Sequence, residues 1–278
     1  MKTSAKGLVR ISAGLMAGVL LFSTAGCNKL KARDQLNKGV QSYKNARYEE
    51  AIEHFKNAVS LDPKLTVGRL YLATAYAQQY IPGADTEENN RMGQAAIDEY
   101  KKVLERDPKS INSAKGIAYL YLQMKKFDQS KEFYRKASQL DPNDPEPYYS
   151  IGVIDWTQSY QAAAEAKSAI GLKVDDPVKD KKDKPVCYKL RDTMKDKIDE
   201  GVQVLEKALQ LRSDYDDAMA YLNLVYRRRA DIQCDDPEAR AADLKLADEW
   251  VDKTMETKKR KLEKPTGPGG ITTEPAKQ

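Results

Sequence analysis

The residues that could carry out chemistry in this chain are few. His54 is the sole histidine, so a serine- or cysteine-based triad would have to use it, and no nucleophile elbow lies near it in the sequence. The three cysteines, Cys27, Cys187 and Cys234, cannot form a zinc site of the usual spacing with one distant histidine. We therefore expect no catalytic site, no metal and no cofactor, and interpret His54 as a surface or boundary residue.

Two further patterns resemble chemical motifs but are interpreted as structural. The acidic pairs at 175–176, 216–217 and 235–236 stand at turns beside predicted helices, where carboxylates can cap helix ends. The glycine-rich segment 267–270 follows no predicted strand, so it is not a phosphate-binding loop. An enzyme would need its site in residues 157–196, and it would require acidic residues there to converge on a pocket.

The N-terminus has the pattern of an export signal. Lys2, Lys6 and Arg10 precede the apolar segment Ile11–Phe22, which is too short for a comfortable membrane span. The segment closes on Thr24-Ala25-Gly26-Cys27, which resembles the lipobox at which bacterial lipoproteins are cleaved and acylated on cysteine. We expect a signal peptide over 1–26 and a lipid anchor on Cys27. Ordinary cleavage after residue 25 would instead give a soluble periplasmic protein.

Net charge argues against nucleic acid as a partner. The chain carries +5, and its first 26 residues hold three basic and no acidic residues, which leaves +2 for the rest. Residues 253–278 account for +4 with seven basic and three acidic residues, so residues 28–252 carry −2. That body lacks the basic stripe that nucleic-acid binding needs. The basic run 258–261 could contact acidic lipid, although a solvated helix end is the simpler interpretation.

The elements that must position any functional residue repeat along the chain. Leu61-Asp62-Pro63, Arg106-Asp107-Pro108 and Leu140-Asp141-Pro142 close three stretches, and their prolines lie 45 and 34 residues apart. Small residues let two antiparallel helices approach, large residues fill the space to the next pair, and proline ends a helix because it lacks an amide hydrogen. The recurring small and large residues are Gly39, Ala51, Phe55, Ala58; Ala73, Ala96, Tyr100; Ala118, Ser130, Tyr134 and Ala137.

This pattern resembles the tetratricopeptide repeat, a helix–turn–helix unit of about 34 residues. The resemblance is strongest in the first three repeats, and extending the register adds a fourth and a fifth. It implies an all-α, right-handed helical solenoid of about five repeats with insertions in repeats 2, 4 and 5. The predicted organisation is a tether at 27–31, a solenoid over 32–262 (repeats 32–65, 66–110, 111–144, 145–214 and 215–262) and a disordered tail at 263–278.

In this family the first helices of the repeats line a concave groove that holds an extended peptide or a partner helix. Some of the corresponding residues could merely pack between helices. The lysine, asparagine and arginine clamp that some members use for a peptide carboxylate is absent, since Leu36, Val40, Tyr71, Asn112 and Gly116 stand there. The groove residues that the resemblance implies are Tyr43, Lys44, Tyr119, Leu122, Tyr149, Val153, Trp156, Arg227 and Arg228.

Cys187 and Cys234 both fall between the two helices of their repeats. Because repeats stack side by side, the loops of the fourth and fifth repeats should meet, and the periplasm is oxidising. We predict a Cys187–Cys234 disulfide with Cα atoms within about 7 Å. The alternative is two unpaired thiols in loops.

Together these observations predict a non-catalytic, membrane-anchored scaffold on the periplasmic side, with an unidentified envelope protein or peptide as partner. Asn28, in place of an inner-membrane aspartate, favours the outer membrane. The alternative function is an assembly factor, such as the lipoproteins that escort outer-membrane barrels, pilus subunits or secretion rings.

Overall fold

The computed structural model describes residues 27–178 and 181–263, and within them it is helical without a β-strand. The predicted all-α class is therefore confirmed. The predicted signal peptide (1–26) and nearly all of the predicted tail lie outside the described residues. The described helices are α1 (27–44), α2 (Tyr48–Leu61), α3 (Thr66–Gln79), α4 (Glu87–Arg106), α5 (Ile111–Gln123), α6 (Phe127–Leu140), α7 (Pro145–Ser168), α8 (Lys184–Leu211), α9 (Asp216–Asp231) and α10 (Pro237–Glu263).

The segment that the sequence assigned to a tether differs from that expectation. Residues 27–31 are helical and belong to α1, so Cys27 stands on a helix rather than on an extended linker. The physical reason is local: Lys29, Leu30 and Lys31 are good helix formers, and no glycine or proline occurs between Cys27 and Lys38. Cys27 is exposed, with a free thiol.

The chain divides into two compact units, with the boundary between Phe133 and Tyr134 inside α6. In unit 1, α2 packs on α3, α3 on α4 and α4 on α5, and α1 contributes partly buried side chains to the core around Phe55. In unit 2, α7, α8, α9 and α10 pack in the same consecutive way, and α7 also contacts α9 directly. First helices of neighbouring repeats thus meet within each unit, at α3 and α5 and at α7 and α9.

The small and large residues of the repeat pack as the pattern predicted. Phe55 is fully buried and stacks on Tyr71 with ring centroids 5.5 Å apart. A Cβ atom on Gly39 would overlap the Phe55 ring, which explains why glycine faces it. Ser130 is also buried, and its hydroxyl donates to the Ala118 carbonyl at 2.8 Å.

The Asp-Pro sequence of the repeats forms a specific turn. The Asp62 carboxylate accepts a hydrogen bond from the backbone amide of Lys64 at 3.1 Å, and the Asp62 carbonyl accepts one from Leu65 at 3.0 Å. Asp107 makes the equivalent pair of contacts. Aspartate and proline therefore act together, because proline ends the helix and the carboxylate closes the turn to the next one.

The long insertion of the fourth repeat, residues 157–196, consists largely of extended helix. α7 continues to Ser168 and α8 begins at Lys184, so the two helices have 24 and 28 residues. The described part of the connection includes a short 3₁₀ turn, Lys181–Asp183. Leu205, Leu222 and Val225 are fully buried in the core of unit 2.

Candidate partner-binding surface

Four aromatic side chains form a continuous patch on the first helices of unit 2. Trp156 lies between Tyr160 and Tyr221, with ring centroids 5.2 Å and 5.3 Å away, and Tyr149 contacts Tyr221 at 5.7 Å. Several of these pairs are T-shaped or tilted, as the ring quadrupoles favour. We call Tyr149, Trp156, Tyr160 and Tyr221 the aromatic patch.

Helical spacing explains how the patch forms. Tyr149, Trp156 and Tyr160 are separated by seven and four residues, which places them on one face of α7. Tyr221 joins them because α9 packs directly on α7. The patch is only partly buried, and Tyr160 is 36% exposed, so the rings form a supported surface instead of a closed core.

The hydroxyl groups of Tyr149 and Tyr221 stay protonated over the physiological range. Burial, with help from the Asp217 carboxylate, raises the pKa of Tyr149 and of Tyr221 above the ordinary tyrosine value. Burial likewise raises the pKa of Tyr215, whose ring lies 4.8 Å from Tyr149. The patch therefore offers neutral hydroxyls and π faces to a partner.

The predicted groove residues are divided between this patch and other places. Tyr149 and Trp156 belong to it, and Val153 lies partly buried between them on α7. The remaining predicted residues of unit 1 lie on α1 and α5. There Lys44 is exposed, Tyr119 is 49% exposed, and Tyr43 and Leu122 are partly buried.

Arg228 is the predicted groove residue that the structure contradicts. Its side chain is buried and pairs with Asp231 at 3.0 Å and with Asp175 at 2.7 Å. Val225 and Arg228 are three residues apart and share a face of α9, and Val225 is in the core. Arg227, in contrast, stays partly exposed and pairs with Asp248 at 2.7 Å. Arg228 therefore has a structural role.

A buried ionic cluster surrounds Arg228 and fastens the insertion to α9. The Lys167 side chain is 0% exposed, and its ammonium group lies 3.0 Å from the Asp231 carboxylate. It also donates to the carbonyls of Val174 and Asp176 at 2.8 Å and 2.9 Å. Burial lowers the pKa of Lys167, and the Asp231 carboxylate opposes that effect. No sequence pattern predicted this cluster, because only the packing of α7 and its following loop on α9 brings its members together.

Cys187 on α8 and Cys234 after α9 are joined in a disulfide, with Cα atoms 5.7 Å apart. Lys184 and Tyr188, on the same end of α8, both bind the Asp235 carboxylate, at 2.8 Å and 2.9 Å. The start of α8 is thus tied both covalently and by polar contacts to the loop that precedes α10.

The residues considered for chemistry have structural partners. The His54 imidazole lies 2.9 Å from the Gln35 side chain, between α2 and α1. In the insertion, Asp175 binds Arg228, and Asp176 accepts a hydrogen bond from the Lys173 amide. No group of three or more histidine, cysteine, aspartate or glutamate side chains that could hold a metal occurs in the described part of the chain.

Two of the aromatic residues were not predicted. Tyr160 follows Trp156 by four residues, so helical spacing alone could have identified it. Tyr221 could not be assigned in the same way, because the register of the last repeat is loose and its place depends on how α9 is rotated against α7. Among the helices that the structure describes, none combines the length and apolar character needed to cross a bilayer.

Comparison with known proteins supports the repeat assignment. Models of the tetratricopeptide repeat match residues 90–151 and residues 35–65. No curated protein sequence matches the chain.

Solved structures with a similar fold include a MamA protein, with a TM-score of 0.56 and 13% identity over 88% of this chain and 98% of that one. MamA from Desulfovibrio magneticus RS-1 gives 0.55 and 16% over 83% and 96%. YrrB, described as a TPR protein with an unusual peptide-binding site, gives 0.50 and 13% over 82% and 90%. At these identities the likeness concerns the fold. The matching repeats and the packing of the helix pairs show that the chain contains tetratricopeptide repeats.

Proposed function

We propose that this protein is a non-catalytic scaffold, anchored through Cys27 on the periplasmic side of a membrane, that binds a peptide or protein partner on its first helices. The observation that carries the proposal is the aromatic patch on α7 and α9. Tyrosine and tryptophan dominate binding hot spots because they bury a large area while few torsions are restricted. A packed but partly open group of such rings has the properties of a partner surface.

Other observations agree with binding as the function. Tetratricopeptide-repeat proteins are protein-interaction scaffolds, and the similar structure of YrrB is described as having a peptide-binding site. Two acidic residues of the insertion, Asp175 and Asp176, contact Arg228 and the Lys173 amide instead of facing a shared pocket. Partner binding therefore explains more of the observed surface features than catalysis does.

The anchor is proposed from the lipobox-like sequence and from the position of Cys27. Its thiol is exposed, so an acyl group could project away from the protein. Because Cys27 stands on α1 itself, an anchored protein would lie close to the bilayer with little freedom between lipid and fold.

The partner surface can be tested by affinity capture from solubilised membranes with the tagged full chain. Trp156→Ala should remove proteins that the unmodified chain retains, while the helical circular dichroism signal stays nearly unchanged. Trp250→Ala is a matched control, since Trp250 is the only other tryptophan and packs against the same core from α10. If both variants lose the same proteins, or if neither variant loses them, the aromatic patch is not the binding site. One dominant multi-component complex would favour the assembly-factor alternative.

The anchor has its own test. A Cys27→Ser variant should incorporate no labelled fatty acid and should leave the membrane fraction. The double variant Cys187→Ser/Cys234→Ser serves as the control and should still be labelled. Detergent-dependent fractionation of Cys27→Ser would exclude the proposed anchor.

A further inference from the structure

The aromatic patch has an acidic residue beside it with no partner of its own. Asp217 lies in the first turn of α9, one turn before Tyr221, and it is exposed. Within the described residues its carboxylate has no ion-pair or hydrogen-bond partner. At that spacing the Asp217 and Tyr221 side chains lie on one face of α9. The patch therefore combines π faces with a free negative charge.

The Tyr215 ring contacts Tyr149 and so extends the aromatic patch into a row of rings from Tyr215 to Tyr160. A guanidinium group of the chain lies against each end of this row. The Arg212 guanidinium carbon lies 3.3 Å from the centroid of the Tyr215 ring, and that of Arg228 lies 5.8 Å from the centroid of Tyr160. Between these ends, Trp156 and Tyr221 have no cation from the described residues against them. A tryptophan face is the best aromatic acceptor for a cation.

We propose that the patch recognises a basic side chain, best an arginine, in an extended partner segment, with the guanidinium on Trp156 and Tyr221 and its edge directed to Asp217. The inference rests on the proposed function and names the chemistry of its partner. Arginine fits better than lysine because its planar group can stack on a ring and donate to a carboxylate at the same time. An acidic segment would meet the like charge of Asp217 and should be rejected.

The test begins with a random peptide library displayed on phage and selected against the full chain. Selected peptides should share a basic residue, and their binding should need Trp156. One selected peptide is then synthesised in three versions, with arginine, with its neutral isostere citrulline and with glutamate at the shared position. Fluorescence anisotropy of the labelled peptides measures each Kd.

We expect citrulline to weaken binding to the unmodified chain by about tenfold. Asp217→Asn should weaken the arginine peptide by about threefold to fivefold and leave the citrulline peptide unchanged. Asp252→Asn, which makes the same charge change on the exposed part of α10, is the matched control and should affect neither. Thermal melting of each variant checks that the fold is intact.

The outcomes separate this inference from the proposed function. Peptides that need Trp156 but show no preference for a basic residue, or an arginine peptide indifferent to Asp217→Asn, would overturn the inference and leave peptide binding in place. A library that yields no Trp156-dependent peptide would overturn both.

Discussion

The two units build the same helix pair and differ in how they fasten it. In unit 1 the Asp-Pro turn occurs after α2 and after α4, where Asp62 and Asp107 close it through their carboxylates, and unit 2 has the same turn after α6 at Asp141. In unit 2 the turn after α8 has Arg212 and no proline. There the Arg212 carbonyl accepts from the Tyr215 amide at 3.1 Å, and its guanidinium stacks on the Tyr215 ring. A cation and a ring thus stand where an aspartate and a proline stand in unit 1.

The units also differ in the contacts that join their helices. Unit 1 packs mainly through the recurring glycine, alanine and aromatic positions. Unit 2 has the same contact in its core, where Leu205 faces Gly152 as Phe55 faces Gly39. Unit 2 has three further contacts: a disulfide, the ionic cluster around Lys167 and the aromatic patch. The comparison indicates that the repeat pattern suffices for short helices, and that the longer α7 and α8 need contacts specific to this chain.

The largest expected effect is on the contact that both units share. Phe55→Ala should lower the free energy of unfolding of unit 1 by about 3–5 kcal/mol, because it leaves a cavity in a fully buried core. Leu205→Ala should lower that of unit 2 by about 2–5 kcal/mol for the same reason. Urea unfolding followed by circular dichroism measures both. A cost below about 1 kcal/mol for Leu205→Ala would contradict the idea that both units depend on this core contact. The disulfide, the ionic cluster and the aromatic patch would then stabilise unit 2 without it.

The disulfide gives the next effect, and it should be confined to unit 2. Replacing both Cys187 and Cys234 by serine opens a loop of sequence separation 47, which costs up to about 4 kcal/mol in the chain-entropy model. Amide hydrogen exchange should accelerate in α8 and α10 and stay unchanged in α2 and α3. Equal acceleration in both units would show that they unfold together, and the disulfide would then not act on unit 2 alone.

A smaller effect depends on alkaline pH. Burial, together with the hydrogen bond that its hydroxyl donates to Glu206 at 2.9 Å, raises the pKa of Tyr226 to about 12. The stability that this tyrosine contributes is fully present below its unfolded pKa of about 10 and is lost as the pH rises through about 12. Chemical denaturation of unit 2 should show a decline of about 2 kcal/mol over that interval.

Tyr226→Phe is the control for this pH dependence. It removes the ionisable hydroxyl, so its stability should decline less between pH 10 and 12 than that of the unmodified chain. Tyr100→Phe provides the comparison in unit 1, because burial also raises the pKa of Tyr100. An unchanged pH profile in Tyr226→Phe would assign the alkaline transition to other groups.

Much of the fold could be predicted because its signals are local. The Asp-Pro turns and the spacing of Gly39, Ala51 and Phe55 act over a few residues or one helix pair, so the sequence indicates them directly. The pairing of Cys187 with Cys234 was also expected, since it needs only the order of helices and the position of the loops.

The predictions that differ from the structure concern side chains whose position depends on how a helix is rotated about its axis. The last repeat follows the consensus loosely, and a shift of one residue turns a side chain by about 100° around the axis. For that reason Arg228 was assigned to the groove although it is buried, and Tyr221 was not assigned although it belongs to the patch. The helical conformation of residues 27–31 has a different cause, since the repeat pattern does not reach them and the helix propensity of Lys29, Leu30 and Lys31 decides it.

By itself, then, the amino-acid sequence determined the all-α repeat architecture, the turn chemistry and the scarcity of catalytic groups. Those properties follow from composition and from contacts between residues near each other along the chain. The tertiary structure alone decided that Trp156 and Tyr221 lie side by side, and that Lys167 and Arg228 share Asp231 in the interior. Such contacts join residues more than 50 positions apart in the sequence. They depend on how α7, α8 and α9 are rotated against one another in the folded core.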